Sequence, residues 1–410
     1  MAVDIRVIEA EQWPDYVRAA FIPFGGAATE GDIADSRIEF EPGRSIAAFD
    51  GERIVGTTSV VSLQMTVPGG AEASVAGVTT VGVQPTHRRR GILRSMMRRQ
   101  LDDSRSQGYP VAALWASEPA IYQRFGYGMA TRQVIARVPR AHTAWLPEAP
   151  DEGGQVRLVP SDAMFKELGP VYDRVRAGTP GMLVRNDDWW KWRFHHMDAE
   201  HHRGGFGPMF YALHEGPEGP DAYAVYRVKN EDEDGIDRGV VQVVEAVTST
   251  PASVRAIWSY LFGIDLVETI EFWNRPPDDP LLSMVLDVRR FGPKVIDGMW
   301  LRLLDVPAAL SERRYGVEGR VVFSLSDEFC EWNAGVYELT GGPDGAECRS
   351  TDAEPELSFT SNELGAAYLG GARLRTLARA GRVQEHSPGA VARADTMFAG
   401  DREPWCPHQF

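Results

Sequence analysis

Three consecutive arginines stand just before a glycine where a predicted helix begins. Arg88, Arg89, Arg90 and Gly91 follow a strand that ends VGV and the strand-stopping Pro85. Cations oppose the helix macrodipole, which favours negative charge at a helix N-terminus, so the arginines indicate that a bound anion supplies that charge. Backbone N–H groups at a helix start are phosphate donors, and glycine lets a ligand approach closely. The segment therefore predicts a pyrophosphate site.

The alternative is a basic helix start on the surface that binds nothing. The flanking elements favour a binding site instead, because a short motif gains meaning only in its structural context. A strand precedes the loop at 81–83, and a continuous apolar run at 111–116 is typical of a buried parallel strand. Between them, five apolar residues recur with helical spacing. They are Ile92, Leu93, Met96, Met97 and Leu101.

The elements that must position this loop form a layered α/β pattern. Up to about residue 150 the order reads β-α-β-β-β-α-β-α-β, with a hairpin signal at Asp50-Gly51 and a last strand at 127–138. A linker follows at 144–154. The region 155–297 repeats the same order, which suggests a diverged duplication, but it has TSTPAS where the first unit has THRRRG. A third unit at 298–410 begins with a strand at 299–304.

Composition and charge narrow the class of function. The chain has 410 residues and a net charge of −15, which argues against nucleic acid as a partner and favours a cationic substrate. Colloidal solubility alone is the alternative explanation of that charge. No apolar run is long enough for a membrane helix, and the start does not read as a secretory signal. We therefore expect no membrane partner.

The cysteines and histidines give no clear metal pattern. Three widely spaced cysteines form neither a disulfide framework nor a metal motif, which fits a reducing cytoplasm. His195, His196, His201 and His202 are clustered, and imidazoles bind zinc, but a solvated polar loop is the favoured interpretation. We expect no metal.

The loop resembles the signature of the GNAT acetyltransferase superfamily, (R/Q)xxGx(G/A) after a strand. Arg88, Gly91 and Leu93 occupy its positions, and Leu93 departs from the usual small residue. The resemblance implies acetyl-CoA as the co-substrate, a pantetheine arm on the strand backbone and a pyrophosphate on the loop. It implies these cofactor-binding residues: Val81, Gly82, Val83, Arg88, Arg89, Arg90, Gly91, Ile92, Leu93, Arg94, Ser117 and Glu118.

Longer segments are similar to the Enhanced intracellular survival (Eis) family. They are QGYPVAALWASEPAIYQRFGYG at 107–128, MWLRLLDVPAALSERRY at 299–315 and YLGGAR at 368–373. The resemblance implies an α/β chain of two tandem GNAT-like domains, 1–150 and 155–297, the second without the cofactor loop. A sterol-carrier-protein-like domain at 298–410 would carry a catalytic tail. A cytoplasmic homo-oligomer, a hexamer, is also implied.

Two groups are implied as the acid and the base of direct acetyl transfer, in which no cysteine takes part. Tyr122 in YQRFGY is the candidate acid, because a phenol pKa of about 10 lies above that of the leaving sulfur; Tyr127 ranks second. The alternative for Tyr122 is a packed aromatic corner. The candidate base is the C-terminal carboxylate of Phe410, which is ionised at neutral pH. The alternative is a frayed end, although Trp405 and Phe410 favour docking.

The class of amine acceptor is inferred from positions where this sequence differs from family members that acetylate aminoglycosides. Family members that acetylate aminoglycosides have an acidic penultimate residue, whereas here it is Gln409, and no acid occurs at 21–24. Phe21 and Phe24 would then form an aromatic wall, with Glu30 or Asp32 as the carboxylates. We expect a small cationic amine, with aminoglycosides among the candidates. The alternatives are a protein-lysine or polyamine acetyltransferase and a non-catalytic binder of acyl-CoA or an amphipathic ligand.

Overall fold

The computed structural model describes residues 3–39, 41–150, 153–196 and 198–410. The chain divides into two compact units, and it enters and leaves the second unit twice. The first unit comprises Met1–Thr131, Gly298–Pro404 and His408–Phe410, and the second comprises Arg132–Asp297 and Trp405–Pro407. Each unit is therefore assembled from segments that are far apart in sequence.

The secondary structure is mixed throughout. In chain order the strands are β1 (Asp4–Val7), β2 (Ser45–Asp50), β3 (Arg53–Thr66), β4 (Glu72–Val83), β5 (Val111–Trp115), β6 (Gly128–Met129), β7 (Arg132–Pro139), β8 (Gln155–Val159), β9 (Phe210–Gly216), β10 (Gly219–Lys229), β11 (Asp232–Glu233), β12 (Ile236–Asp237), β13 (Gly239–Thr248), β14 (Val267–Arg275), β15 (Lys294–Asp297), β16 (Met299–Leu303), β17 (Gly319–Ser326), β18 (Gly335–Gly342), β19 (Gly345–Ser350), β20 (Leu357–Thr360) and β21 (Gln384–Glu385).

The α-helices are α1 (Trp13–Phe21), α2 (Glu30–Glu39), α3 (Ile92–Ser106), α4 (Pro119–Tyr122), α5 (Met164–Arg176), α6 (Asp187–Lys191), α7 (Pro251–Phe262), α8 (Leu281–Met284), α9 (Val288–Phe291), α10 (Val306–Glu312), α11 (Ser361–Ala367), α12 (Leu374–Arg379) and α13 (Ala390–Phe398). Within the described part of the chain, no helix is both long and apolar enough to cross a membrane.

The first unit is built on a seven-stranded sheet in the order β1-β2-β3-β4-β5-β16-β6. Helix α3 packs on it as the apolar spacing predicted: Met96, Met97 and Leu101 are fully buried. Met97 and Leu101 share a cluster with residues of β3, β4 and β5. Strands β4 and β5 are parallel but pair only at 75–77 against 111–113, so they diverge beyond Gly77.

One strand expected from the sequence is split between two sheets, and another is present but lies in a different sheet from the one expected. The strand expected at 127–138 is split, because β6 joins the first sheet whereas β7 pairs with β14 and β15 in the second. The strand at 299–304, expected to start the third unit, is β16 and lies between β5 and β6. A period of two predicts that a segment is a strand, but it carries no information on which strand pairs with it.

The second unit repeats this layout. Its sheet has the order β15-β7-β14-β13-β10-β9-β8, and β13 and β14 are its parallel pair. One buried cluster joins this sheet to α7 and α9, and another joins it to α5 and α6. The connection β13-α7-β14 therefore matches β4-α3-β5 of the first unit.

The chain after β16 adds a five-stranded sheet to the first unit, in the order β19-β18-β17-β20-β21. Helix α11 joins it to the first sheet, since Asn362 Nδ2 donates to the Tyr127 carbonyl at 2.7 Å. Arg302 on β16 forms a fully buried ion pair with Asp327, which also accepts the backbone N–H of Cys330 at 2.8 Å.

Candidate active site

The arginine loop leads from β4 into α3. A short 3₁₀ turn, Pro85–His87, follows β4, and α3 begins at Ile92 with Gly91 as its N-cap. The three arginines were expected in the first turn of the helix; they precede it instead, with exposed side chains, and Arg89 has φ = 62°. Gly91 has φ = 80°, and an added Cβ there would meet nothing within 4 Å. Glycine is therefore needed for its backbone conformation rather than for space.

The start of α3 has no side-chain cap. Its first-turn N–H groups have no acceptor within the helix and can bind an anion. In the second unit, the matching helix α7 has a capping box: the Ser253 N–H donates to Thr250 Oγ1 at 3.1 Å, and Ser253 Oγ accepts the Thr250 N–H at 3.0 Å. The corresponding donors there are already partly occupied.

His87 holds the loop to β2. Its Nε2 lies 3.1 Å from Asp50 Oδ2, its Nδ1 lies 2.8 Å from Thr86 Oγ1, and its side chain is buried. The His87 hydrogen bond is the main cause that lowers the pKa of Asp50 below its usual range, and the positive charges of His87 and Arg90 add to it. His87 therefore positions the loop.

A β-bulge near the end of β4 was not predicted. Thr57 pairs with Gly82 but Ser59 pairs with Thr79, so two residues of β4 oppose one of β3. Thr80 in the bulge has φ = 51°, which is costly for a β-branched residue. Thr57 Oγ1 donates to its carbonyl at 2.8 Å, and the Tyr16 hydroxyl lies 2.9 Å from its Oγ1. Nothing in the periodicity signals this strain.

Beyond Gly77 the β4 backbone has no pairing with β5. Val81, Gly82 and Val83 lie in that stretch, so the side of β4 that would face β5 can pair with an extended ligand. The turn after α1 covers the neighbouring surface, since a Cβ on Gly82 would lie 2.7 Å from Pro23 Cγ. The stretch therefore combines a backbone that is not paired with β5 and a turn that packs closely against Gly82.

The proposed substrate residues flank that turn. Phe21 is half-buried, and Phe24 is 59% exposed. Of the two candidate carboxylates, Glu30 pairs with Arg18 at 2.9 Å. Asp32 is buried and accepts both the N–H and the hydroxyl of Thr29 at 2.7 Å, so it is a helix cap rather than an open acid.

Two tyrosines follow β5 in the chain. Ser117 and Glu118 are exposed after the strand, and Tyr122 ends α4 with 5% of its surface exposed. Burial raises the pKa of Tyr122 to about 12, and a hydrogen bond with Ser117 opposes the rise. Val81 and Leu93 pack against the hydrophobic cluster to which Tyr122 belongs.

Tyr127 is less suited to chemistry than Tyr122. Its ring lies 6.2 Å from that of Tyr122, edge to face, and it is fully buried. Burial raises its pKa far above the ordinary value. Among the described residues its hydroxyl has no hydrogen-bond partner. The order of preference between the two tyrosines therefore has a physical basis in their accessibility.

The last three residues of the chain lie against the first sheet. A Cβ on Gly77 would be 3.1 Å from Phe410 Cε2, and Trp115 Nε1 donates to the His408 carbonyl at 3.1 Å. His408 is buried, Phe410 is half-buried, and Gln409 is exposed. Gly77 is the last residue of β4 that pairs with β5, so the tail ends where the two strands diverge.

No metal arrangement of three or more His, Cys, Asp or Glu side chains occurs among the residues that the structure describes. The side chains of His195, His196 and His201 lie outside that description. Cys330, Cys348 and Cys406 are all buried.

Comparison with known proteins adds three domain assignments. Family models match a GNAT acetyltransferase domain at 4–130, a second at 181–303 and a sterol carrier protein domain at 306–407. The expected domain types and their order, two GNAT domains before a sterol-carrier domain, are therefore confirmed.

Relatives and solved structures resemble the chain over most or all of its length. It is 40% identical to an uncharacterised N-acetyltransferase of Streptomyces avermitilis over all of both chains. It is 37% identical to the N-acetyltransferase Eis of Mycobacterium tuberculosis, covering 86% of this chain and 85% of the relative. Eis1 from Mycobacterium abscessus has a TM-score of 0.83 at 32% identity, covering 99% of this chain and 100% of the other.

A GCN5-related N-acetyltransferase from Anabaena variabilis has a TM-score of 0.85 at 17% identity, covering both chains fully, which shows a common fold. Identities of 40% and 37% to N-acetyltransferases, together with the two matched GNAT domains, define the protein as an acetyltransferase enzyme. The chain belongs to the Eis family of GNAT N-acetyltransferases.

Proposed function

We propose that the enzyme transfers an acetyl group directly from acetyl-CoA to an amine of a small cationic molecule. The observation that carries this proposal is the course of the tail: Phe410 lies on Gly77, where β4 and β5 diverge. The uncapped start of α3 stands in the same domain. A cofactor between the strands would then have donors for its phosphates and a chain terminus near its reacting end.

Each part of the cofactor is assigned to residues of β4, the arginine loop, the start of α3 or the segment after β5. The backbone of Val81 to Val83 pairs with the pantetheine arm, and the first-turn amides of Ile92, Leu93 and Arg94 bind the pyrophosphate. Arg88, Arg89 and Arg90 add positive charge from the preceding turn. Ser117 and Glu118, after β5, stand near the thiol end. No metal is needed for this chemistry.

The reaction needs a neutral amine. The terminal carboxylate of Phe410 accepts a proton from the attacking nitrogen, directly or through water. The C–N bond forms, the carbonyl oxygen becomes an oxyanion, and the C–S bond then breaks to release the CoA thiolate. Tyr122 donates its O–H to that sulfur.

Burial changes what Tyr122 can do. A thiol has a pKa of about 8.5, so a phenol whose pKa is about 12 holds its proton more firmly than the sulfur does. A higher phenol pKa therefore makes complete proton transfer harder, not easier. Tyr122 stabilises the leaving thiolate as a hydrogen-bond donor, and the sulfur is protonated fully only as CoA departs.

The acceptor class rests on charge and on the aromatic turn. A net charge of −15 attracts cations, and Phe24 is exposed in the turn whose Pro23 lies over Gly82. Asp32 caps α2 and Glu30 pairs with Arg18, so neither of the two candidate carboxylates is without a partner. Gln409, the proposed substrate contact in the tail, is uncharged. Aminoglycosides, polyamines and lysine peptides are therefore the acceptors to compare. The hexamer and the cytoplasmic location stay predictions.

The test is a CoA-release screen over those three classes of amine, with acetyl-CoA as donor. We expect turnover with at least one class. Deleting Phe410, or adding a short tag after it, should abolish turnover while the acetyl-CoA dissociation constant stays within about twofold. A tag at the N-terminus is the control. Full activity in the C-terminally tagged protein would reject the carboxylate as the base.

A further inference from the structure

The second unit has an opening like that of the first. Its parallel strands pair from Gly239 with Val267 to Val243 with Phe272, and beyond these residues β13 and β14 continue unpaired with one another. In the first unit the equivalent stretch is where we place the cofactor. The second unit fills its stretch with residues of the chain's own tail.

Asn274 on β14 binds the tail through three hydrogen bonds. Trp405 Nε1 donates to the Asn274 backbone carbonyl at 3.0 Å and to Asn274 Oδ1 at 3.1 Å. In return, Asn274 Nδ2 donates to the Cys406 carbonyl at 2.9 Å. The Trp405 N–H donates to the Pro180 carbonyl at 2.9 Å. Backbone and side chain of the tail are both recognised.

The conformation of Asn274 suits this role. Its φ is 55°, at a bulge where β14 gains one residue relative to β7 between Phe272 and Arg275. Asparagine tolerates this left-handed region better than most residues. The bulge leaves both the carbonyl and the amide of Asn274 bonded to the tail.

The indole is buried in the core of the second unit. Trp405 is 4% exposed and belongs to the same hydrophobic cluster as Val244 and Val247 of β13. The Arg275 guanidinium lies 5.0 Å above its ring and donates to the Ala246 carbonyl, so it bridges β14 to β13. These side chains occupy the space between the diverging strands.

We propose that the opening of the second GNAT fold is a receptor for the tail, in which Trp405 and Asn274 are positioning residues for the catalytic terminus. This inference rests on the proposed function of the Phe410 carboxylate. Phe410 lies five positions after Trp405, and a chain of that length spans at most about 18 Å when fully extended. Holding Trp405 thus limits the region in which the Phe410 carboxylate can lie.

The experiment measures tail docking separately from catalysis. Carboxypeptidase A, which removes aromatic C-terminal residues, reports the release of Phe410 from the full-length enzyme, and hydrogen exchange of the C-terminal peptide reports protection. The variants are Asn274→Gly, which keeps the left-handed backbone, and Trp405→Phe, which keeps a ring without the donor. Trp332→Phe is the matched control, since Trp332 Nε1 also donates to a backbone carbonyl, that of Leu304, at 3.0 Å.

We expect Phe410 release to be about tenfold faster or more in both tail variants and unchanged in the control. With an amine found in the screen, kcat should fall about tenfold, while the KM for acetyl-CoA stays within about twofold. Release and exchange equal to the wild type in both variants would overturn the receptor. Fast release with an unchanged kcat would keep the receptor and reject the Phe410 carboxylate as the base.

Discussion

Burial separates two tyrosines that the sequence places five residues apart. Tyr122 keeps a small exposed area and a hydrogen bond with Ser117, whereas Tyr127 is enclosed and its hydroxyl has no partner among the described residues. Both candidates for the proton donor lie in the motif YQRFGY. Only packing ranks them, because accessibility depends on the neighbours that each ring meets.

We expect Tyr122→Phe to lower kcat about 100-fold with little change in the KM for acetyl-CoA, since removing one hydrogen-bond donor to a developing negative charge costs about that much. Tyr127→Phe should stay within about threefold. The pKa of Tyr122 is raised above that of a free phenol, so the side chain stays protonated as pH rises to about 10. The kcat profile should therefore rise with pH as the amine loses its proton, without a falling limb from Tyr122.

Steady-state kinetics between pH 6 and 10 check this expectation. A falling limb near pH 9 in the wild type that disappears in Tyr122→Phe would contradict the raised pKa. An equal loss of kcat in the Tyr127→Phe variant would contradict the assignment of the donor.

At the scale of elements, the strand–loop–helix unit was predictable but its strain was not. Residues 81–83 end a strand and 92–101 form an amphipathic helix, as their spacing indicated. The bulge at Thr80 depends on Thr57 and Tyr16, which are distant in sequence. It accompanies the departure of β4 from β5, where we propose that the cofactor binds.

Neighbouring threonines on β3 test the bulge. Thr57→Val removes the donor to the Thr80 carbonyl, and we expect the KM for acetyl-CoA to rise about fivefold with kcat within about threefold, because one hydrogen bond contributes about 1 kcal/mol. Thr58 is the matched control: it is buried, and its hydroxyl has no partner in the described chain. Thr58→Val should leave the KM unchanged; equal effects of the two variants would reject the role of Thr57.

At the scale of the whole molecule, the order of the strands in the chain does not predict which sheet each strand joins. β16 completes the first sheet although it follows the whole second unit, and β7 belongs to the second sheet although it follows β6 closely. Arg302 on β16 and Asp327 join this strand to the five-stranded sheet through a buried ion pair. The first unit therefore needs its C-terminal segment to be complete.

We expect Asp327→Ala to lower the free energy of unfolding by about 3–5 kcal/mol, because it leaves the Arg302 charge buried and unpaired. Asp103→Ala, which breaks the exposed pair with Arg99, should cost under about 0.5 kcal/mol. Urea denaturation of both variants measures the difference. Equal losses would show that the buried pair contributes no more than a surface pair.

The sequence by itself determined the arginine loop that we propose as the pyrophosphate site, the helix that follows it, the two tyrosine candidates and, through resemblance, the family and its domain types. These depend on residues close in sequence, whose spacing and conformational preferences act locally. Tertiary structure alone decided that the arginines precede α3, that Asp32 caps α2 and that Thr80 is strained. It also decided that β7 joins the second sheet and β16 the first, and where Trp405 and Phe410 lie. Each of these depends on a partner distant in sequence, and periodicity carries no information about which partner that is.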